Sequence, residues 1–134
     1  MNETKTIKAR RADGTIEACY IQIIESPHWK LIFSGAGLRE KEFLDRDLFE
    51  SFISLRKELE GVGIQLLCAG ARSDVFPSGM SRDMGGGRKA YITKLGCPPT
   101  RGDLVDIFDY SDHQSVGTVS EQQIFHTKWI GSRK

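Results

Sequence analysis

The sequence predicts an α+β fold: one mixed sheet of about five strands, with two helices packed on it, in the order β-β-α-β-β-β-α. Three observations predict it. The stretch Thr15–Glu25 is β-branched and apolar over a strand's length. Leu44, Leu48, Phe52, Leu55 and Leu59 recur at helical spacing. After that stripe the apolar segments are short again and separated by glycine and proline. A chain of 134 residues fits one domain, 1–134, with enough length for a core of its own.

Residues 1–13 read as a polar, partly flexible N-terminus, and they hold no apolar run of the signal-peptide kind. In Thr15–Glu25, Ile16, Ala18, Tyr20 and Gln22 share one face and Cys19, Ile21 and Ile23 the other, which predicts a strand buried on both sides. Ser26-Pro27 ends it, because proline removes a ladder donor. A second strand over Trp29–Ser34 completes a hairpin, and Gly35-Ala36-Gly37 releases the chain. Asp47 with Glu50 three residues later marks a helix start of the capping-box type. Phe49 and Ile53 widen the apolar stripe, Arg46, Ser54, Lys57 and Glu58 take the other side, and Gly61 suits the left-handed closing position. Gly63–Gly70 is the next strand, so that strand, helix and strand form a crossover unit. Strands over Lys89–Leu95 and Leu104–Asp109 follow, separated by Gly96-Cys97-Pro98-Pro99. Asp112–Gly117 is a polar turn. Ser120 and Gln123 offer a second capping box for a last helix, with Phe125 and Trp129 as an i,i+4 aromatic pair and Gly131 at its end.

Composition limits the function. A net charge of +1 gives no global field for nucleic acid or an anionic membrane, so a partner has to be recognised through a local patch. Cys19, Cys68 and Cys97 are odd in number and lack C-x-x-C spacing, which argues against a disulfide framework or zinc site and for a reducing, cytoplasmic setting. His28, His113 and His126 belong to no catalytic motif. No H-E-x-x-H, G-x-S-x-G or paired-carboxylate metal pattern occurs, so neither a cofactor nor a catalytic residue is assigned.

The segment Pro77–Tyr91, PSGMSRDMGGGRKAY, is the unusual one. It fails as a phosphate-binding P-loop, because Gly87 is followed by Arg88-Lys89-Ala90 and no hydroxyl is placed for a metal. Gly85, Gly87 and Ala90 match a dinucleotide fingerprint, but no strand leads directly into them and AYITKL after them is β-like. The residues themselves read as a mobile connection between strands, open to recruitment by a partner. Asp103, Asp106, Asp109 and Asp112 concentrate negative charge around the last strand, and Glu40, Glu42, Asp45, Asp47 and Glu50 do so before the helix.

Two resemblances attach to these stretches. Arg82, Gly85 and Gly87 form R-x-x-G-x-G, which resembles the acyl-coenzyme A loop of GNAT acetyltransferases; that implies a small acyltransferase holding a pyrophosphate on backbone amides. The run LRKELEGVGIQLLCAGARSDVFPSGMSRDMGGGRKAYITKLG, and the chain as far as Asp109, resembles immunity proteins of bacterial contact-dependent growth inhibition. That resemblance implies a non-enzymatic protein that occludes the active site of a cognate toxin, a nuclease such as one that cleaves tRNA. It transfers no functional residue. The residues then expected to meet the toxin are Asp103, Asp106, Asp109 and Asp112, with Arg82, Asp83 and Arg88 as rim contacts.

Overall fold

The computed structural model describes residues 2–133. The chain is α+β, with eight strands in two sheets and three helices. Strands β1 (Asn2–Arg11), β2 (Ile16–Ile24), β3 (Lys30–Gly35), β4 (Leu38–Phe43) and β5 (Ile64–Leu66) form a sheet in the order β4-β3-β2-β1-β5. Strands β6 (Val75–Phe76), β7 (Lys89–Ile92) and β8 (Leu104–Asp106) form a second sheet in that order. The expected single mixed sheet is therefore corrected to two, and every pairing between strands is antiparallel.

The largest correction lies at the N-terminus. Asn2–Arg11, expected to be partly flexible, is a ten-residue strand inside the sheet, paired from Asn2↔Ile24 to Arg10↔Ile16. Its inward side chains include Ile7 and Ala9, both buried. The turn to β2 is closed by Gly14 N–H donating to Arg11 O, and by Thr15 N–H donating to Asp13 Oδ1. The expected hairpin of β2 and β3 is present, but β2 is buried on one face only. Cys19, Ile21 and Ile23 point into the core, while Ile16 and Tyr20 are about half exposed. Past Gly35-Ala36-Gly37 the chain turns straight back as β4. That edge strand is exposed except at Phe43 and carries Arg39, Glu40, Lys41 and Glu42, charge that discourages edge pairing with another chain.

Helix α1 (Leu48–Gly61) crosses the buried face of the large sheet, from the β4 edge to the β5 edge. The stripe read from the sequence is its core face: Leu48, Phe49, Phe52, Leu55 and Leu59 are each at most 3% exposed, whereas Leu44 lies before the helix and is exposed. Asp47 is the N-cap, its Oδ1 accepting from Glu50 N–H at 2.8 Å. The C-terminal reading shifts by two residues. Gly61 is helical, and Gly63 takes the left-handed conformation, φ +77°. The helix does not connect parallel neighbours either: β5 pairs antiparallel to β1 at the far edge.

The second sheet closes over the outer part of α1, and both sheets share one apolar cluster that includes Val75, Ala90, Ile107 and Phe108. Helix α3 (Val119–Ser132) starts two residues earlier than expected. Thr118 and Glu121 form its capping box in place of Ser120 and Gln123. It is tied down by a buried polar clasp. Arg56, 3% exposed, donates to Gln122 Oε1 at 2.6 Å, Gly70 O at 3.2 Å and Gly117 O at 3.1 Å. Gln122 Nε2 lies 2.8–2.9 Å from the carbonyls of Gly70, Arg72 and Val75. The clasp joins α1, the turn at Ala69–Ala71, β6 and α3 through one guanidinium, whose charge is neutralised only by carbonyl dipoles. Burial lowers its pKa from the ordinary arginine value.

Candidate functional site

The glycine segment is an ordered piece of structure. Ser78 Oγ accepts from Ser81 N–H and starts α2 (Gly79–Gly85), which ends on Gly86 in the left-handed conformation. Ser81 also bonds Lys89 O, tying the helix to β7. Gly86 has φ +67°, and a Cβ there would stand 2.5 Å from the Trp29 ring; Gly87 has φ +82°, and its Cβ would stand 2.7 Å from Phe49 Cβ. Both glycines are required by close approach and by backbone sign together. The expected mobile connection is thus corrected: the segment is packed against the start of α1.

Arg82 fastens it there. Its Nε donates to Asp47 Oδ2 and its Nη2 to Glu50 Oε1, each at 2.8 Å. Burial works against the Arg82 charge, and the hydrogen bonds from the two carboxylates outweigh it, so the guanidinium holds its proton more tightly than usual. Phe49 N–H donates to Gly86 O at 2.9 Å, so this carbonyl and the Asp47 carboxylate serve amides of the first turn of α1. The amides of the glycine run are engaged as well: Gly86 N–H on Arg82 O, Gly87 N–H on Ser81 O, Arg88 N–H on Gly85 O. These three glycines close a helix. A pyrophosphate cradle needs free amides at the opening of one, where the dipole is positive.

Arg88 is tied in the same manner. It donates from Nε to both oxygens of Asp106 at 2.9 Å, and from Nη1 and Nη2 to the two Glu3 oxygens at 3.1 Å. This fork joins β1 of the large sheet to the small one, and the Arg88 hydrogen bond holds the Glu3 carboxyl below its ordinary pKa. The four singled-out aspartates do local work to different degrees. Asp103 caps the short turn begun by Thr100, and hydrogen bonds from Thr100 lower its pKa. Asp106 accepts from Arg88 and from Phe108 N–H. Asp112 accepts from Ser115 N–H and Oγ, which lowers its pKa too. Asp109 and Asp112 are exposed, as is Asp83 on α2. Arg82, Arg88 and Asp106, expected to meet a partner, are bound within the chain.

What this framework leaves outside is apolar. Met80 and Met84, one helical turn apart on α2, are 72% and 82% exposed. With Tyr91 of β7 and the exposed Leu104 of β8 they border a shallow trough of about 320 Å³, rimmed by Arg88 and Lys89. The sequence reading missed this pair. The signal was two methionines at i,i+4, set in a stretch whose glycines drew the attention.

The remaining reactive groups are dispersed. His28 is exposed between β2 and β3, His113 is exposed in the turn before α3, and His126 is half-buried on α3. The Cys19 and Cys68 thiols are pushed up to about 12 by burial, and Cys97 is exposed. Among the described residues no three His, Cys, Asp or Glu side chains converge as metal ligands, and no helix is long and apolar enough to cross a membrane. No protein-family model and no curated protein matches the chain.

Proposed function

We propose that the protein acts by binding: a cytoplasmic, non-enzymatic immunity protein that holds a cognate toxin domain, of the nuclease class, and covers its active site. The observation that carries this reading is the exposure of Met80 and Met84 on a helix fixed by Arg82. A rigid apolar ridge beside charged residues suits a protein partner, because thioethers adapt to an opposing surface and large apolar side chains seldom lie bare without use. The exposed carboxylates of Asp109 and Asp112 contribute steering toward a basic nuclease cleft, while the ridge contributes the desolvated contact. The acyltransferase reading receives no comparable support, since the amides of Gly86 and Gly87 are already bonded.

The test begins with cross-linking capture from the native cell and identification of the captured domain. Binding of that domain is then measured for Met80→Glu with Met84→Glu, and for Asp109→Lys with Asp112→Lys. The methionine pair is expected to lower affinity by about 30-fold or more, as central apolar contacts do. The aspartate pair is expected to slow association at low salt and to weaken protection of toxin-expressing cells. Neither pair should change the melting temperature, because all four side chains are exposed. Undiminished binding by the methionine variant refutes the ridge as the contact. Saturable heat on adding acetyl-coenzyme A, lost in Gly85→Ala, refutes the non-enzymatic reading.

A further inference from the structure

A second concavity lies on the opposite flank of Tyr91, between α3 and the small sheet. Phe76 of β6 and Tyr91 of β7 form one wall, His126 and Trp129 of α3 the other, and Pro99 borders one side; the space is about 330 Å³. The rings are aligned. Phe76 and His126 stack at 3.7 Å between centroids with 10° between planes, and His126 lies 6.0 Å and 23° from Trp129. Trp129 is 7% exposed and fixed by its Nε1–H donating to Cys97 O at 3.0 Å, so the wall is rigid. Burial, with the nearby Arg82 charge, lowers the His126 pKa and keeps this imidazole neutral near pH 7. At the rim, the Arg133 guanidinium sits 4.7 Å over the Trp129 ring. Among the described residues no carboxylate lines the cleft.

Flat apolar walls, a volume at the small end of ligand sites, and one cation without a lining anion define a chemistry. We infer that this cleft binds a small aromatic carboxylate, its ring against the Trp129–His126 wall and its carboxylate on Arg133. The ring gains area and edge or face contacts with the fixed aromatics, and the charge-assisted hydrogen bond orients it. This inference is independent of the Met80–Met84 ridge, which the ligand does not touch.

The experiment uses the full chain, isotope-labelled, with 3-phenylpropionate as probe and 3-phenylpropionamide and phenethylamine as controls. Saturable amide shifts in β7 and α3 and of the Trp129 indole are expected, with the carboxylate bound about fivefold or more tighter than the amide, and the amine weakest. Arg133→Ala, at an exposed helix end, should leave the melting temperature unchanged and reduce the carboxylate to the level of the amide, while Arg133→Lys keeps part of the preference. Equal affinity of carboxylate and amide, shifts confined to other surfaces, or indifference to Arg133→Ala overturns the inference. So does a peptide ending in Gly-Gly-Phe that binds more than about tenfold tighter than the free acid, since that assigns the cleft to a polypeptide end.

Discussion

The glycine run gives the most discriminating stability test, because neighbouring glycines should respond with opposite sign. Gly85 is the last residue of α2, and a Cβ there meets nothing within 4 Å. Gly85→Ala should stabilise by about 0.5–1 kcal/mol, since alanine loses less backbone freedom on entering a helix. Gly86 stands one residue on, at φ +67°, with three atoms of the Trp29 ring 2.5–2.9 Å from the added Cβ. Alanine there costs about 1–2 kcal/mol for the left-handed backbone and about 1–3 kcal/mol for overpacking against a large ring. The sum, about 2–5 kcal/mol, corresponds to a fall in melting temperature of about 7–18 °C for a chain of this length. Equilibrium urea denaturation of both variants, followed by tryptophan fluorescence, reads the difference directly. If the run were a mobile tether, both substitutions would fall within about 0.5 kcal/mol of the parent, and the argument for a packed C-cap would fail.

Other expectations follow from the buried polar groups. Arg56→Ala should cost about 3–5 kcal/mol, because it strands the carbonyls of Gly70 and Gly117 and the Gln122 amide together; a double-mutant cycle with Gln122→Ala should give a coupling above about 1 kcal/mol by denaturant unfolding, and additivity would exclude the clasp. His126 has a buried Nδ1 with no hydrogen-bond partner and a pKa lowered by burial first and by Arg82 second. The unfolded chain therefore binds more protons near the ordinary histidine pKa of about 6.5, and stability should fall as pH drops through that value; His126→Phe should flatten the slope between about pH 5 and 7. The depressed carboxyls of Glu3, Asp103 and Asp112 act in a separate window, contributing stability above the ordinary carboxylate pKa that is lost as pH falls below it.

Parts of the fold were legible because their pattern is local. The α1 stripe and its Asp47 cap state a helix, and the β-branched runs of β2 and β3 state a hairpin. Strand β1 was hidden because it buries few apolar side chains, Ile7 and Ala9 among them, so its alternation is carried mostly by threonine, lysine and arginine. Asp13-Gly14 is a hairpin signal, but one that gains force only when both flanks alternate visibly. Helix α2 spans seven residues, too few for periodicity to show, and its glycines counted as freedom. What holds Gly86 and Gly87 is contact with Trp29 and Phe49, about sixty and forty residues away in the chain, which no local pattern encodes. The same limit applied to charge. Arg82, Arg88 and Asp106 were singled out correctly as unusual, yet composition cannot tell a carboxylate that awaits a partner from one already paired with its own chain.

That pairing bears on how a partner would be held. Arg82 couples α2 to the N-terminus of α1 through Asp47, a cap that is itself 5% exposed, so Arg82→Ala removes an ion pair and leaves a buried carboxylate with only its capping bond. A stability loss of about 1–3 kcal/mol is expected, for a hydrogen-bonded charge pair that is mostly but not wholly buried. The larger consequence is for association. Met80 and Met84 are presented on a helix whose orientation is fixed by Arg82 and by the Gly86 turn, so little ordering remains to be done on binding. Loosening the anchor without touching either methionine should therefore raise the dissociation rate of the captured partner while the intrinsic contact surface is unchanged. Arg82→Lys, which keeps the charge but not the fork to Asp47 and Glu50, should fall between parent and alanine in both stability and dissociation rate. A variant that loses the stability but keeps the parent dissociation rate would show that the ridge needs no such support, and would move the contact to another face.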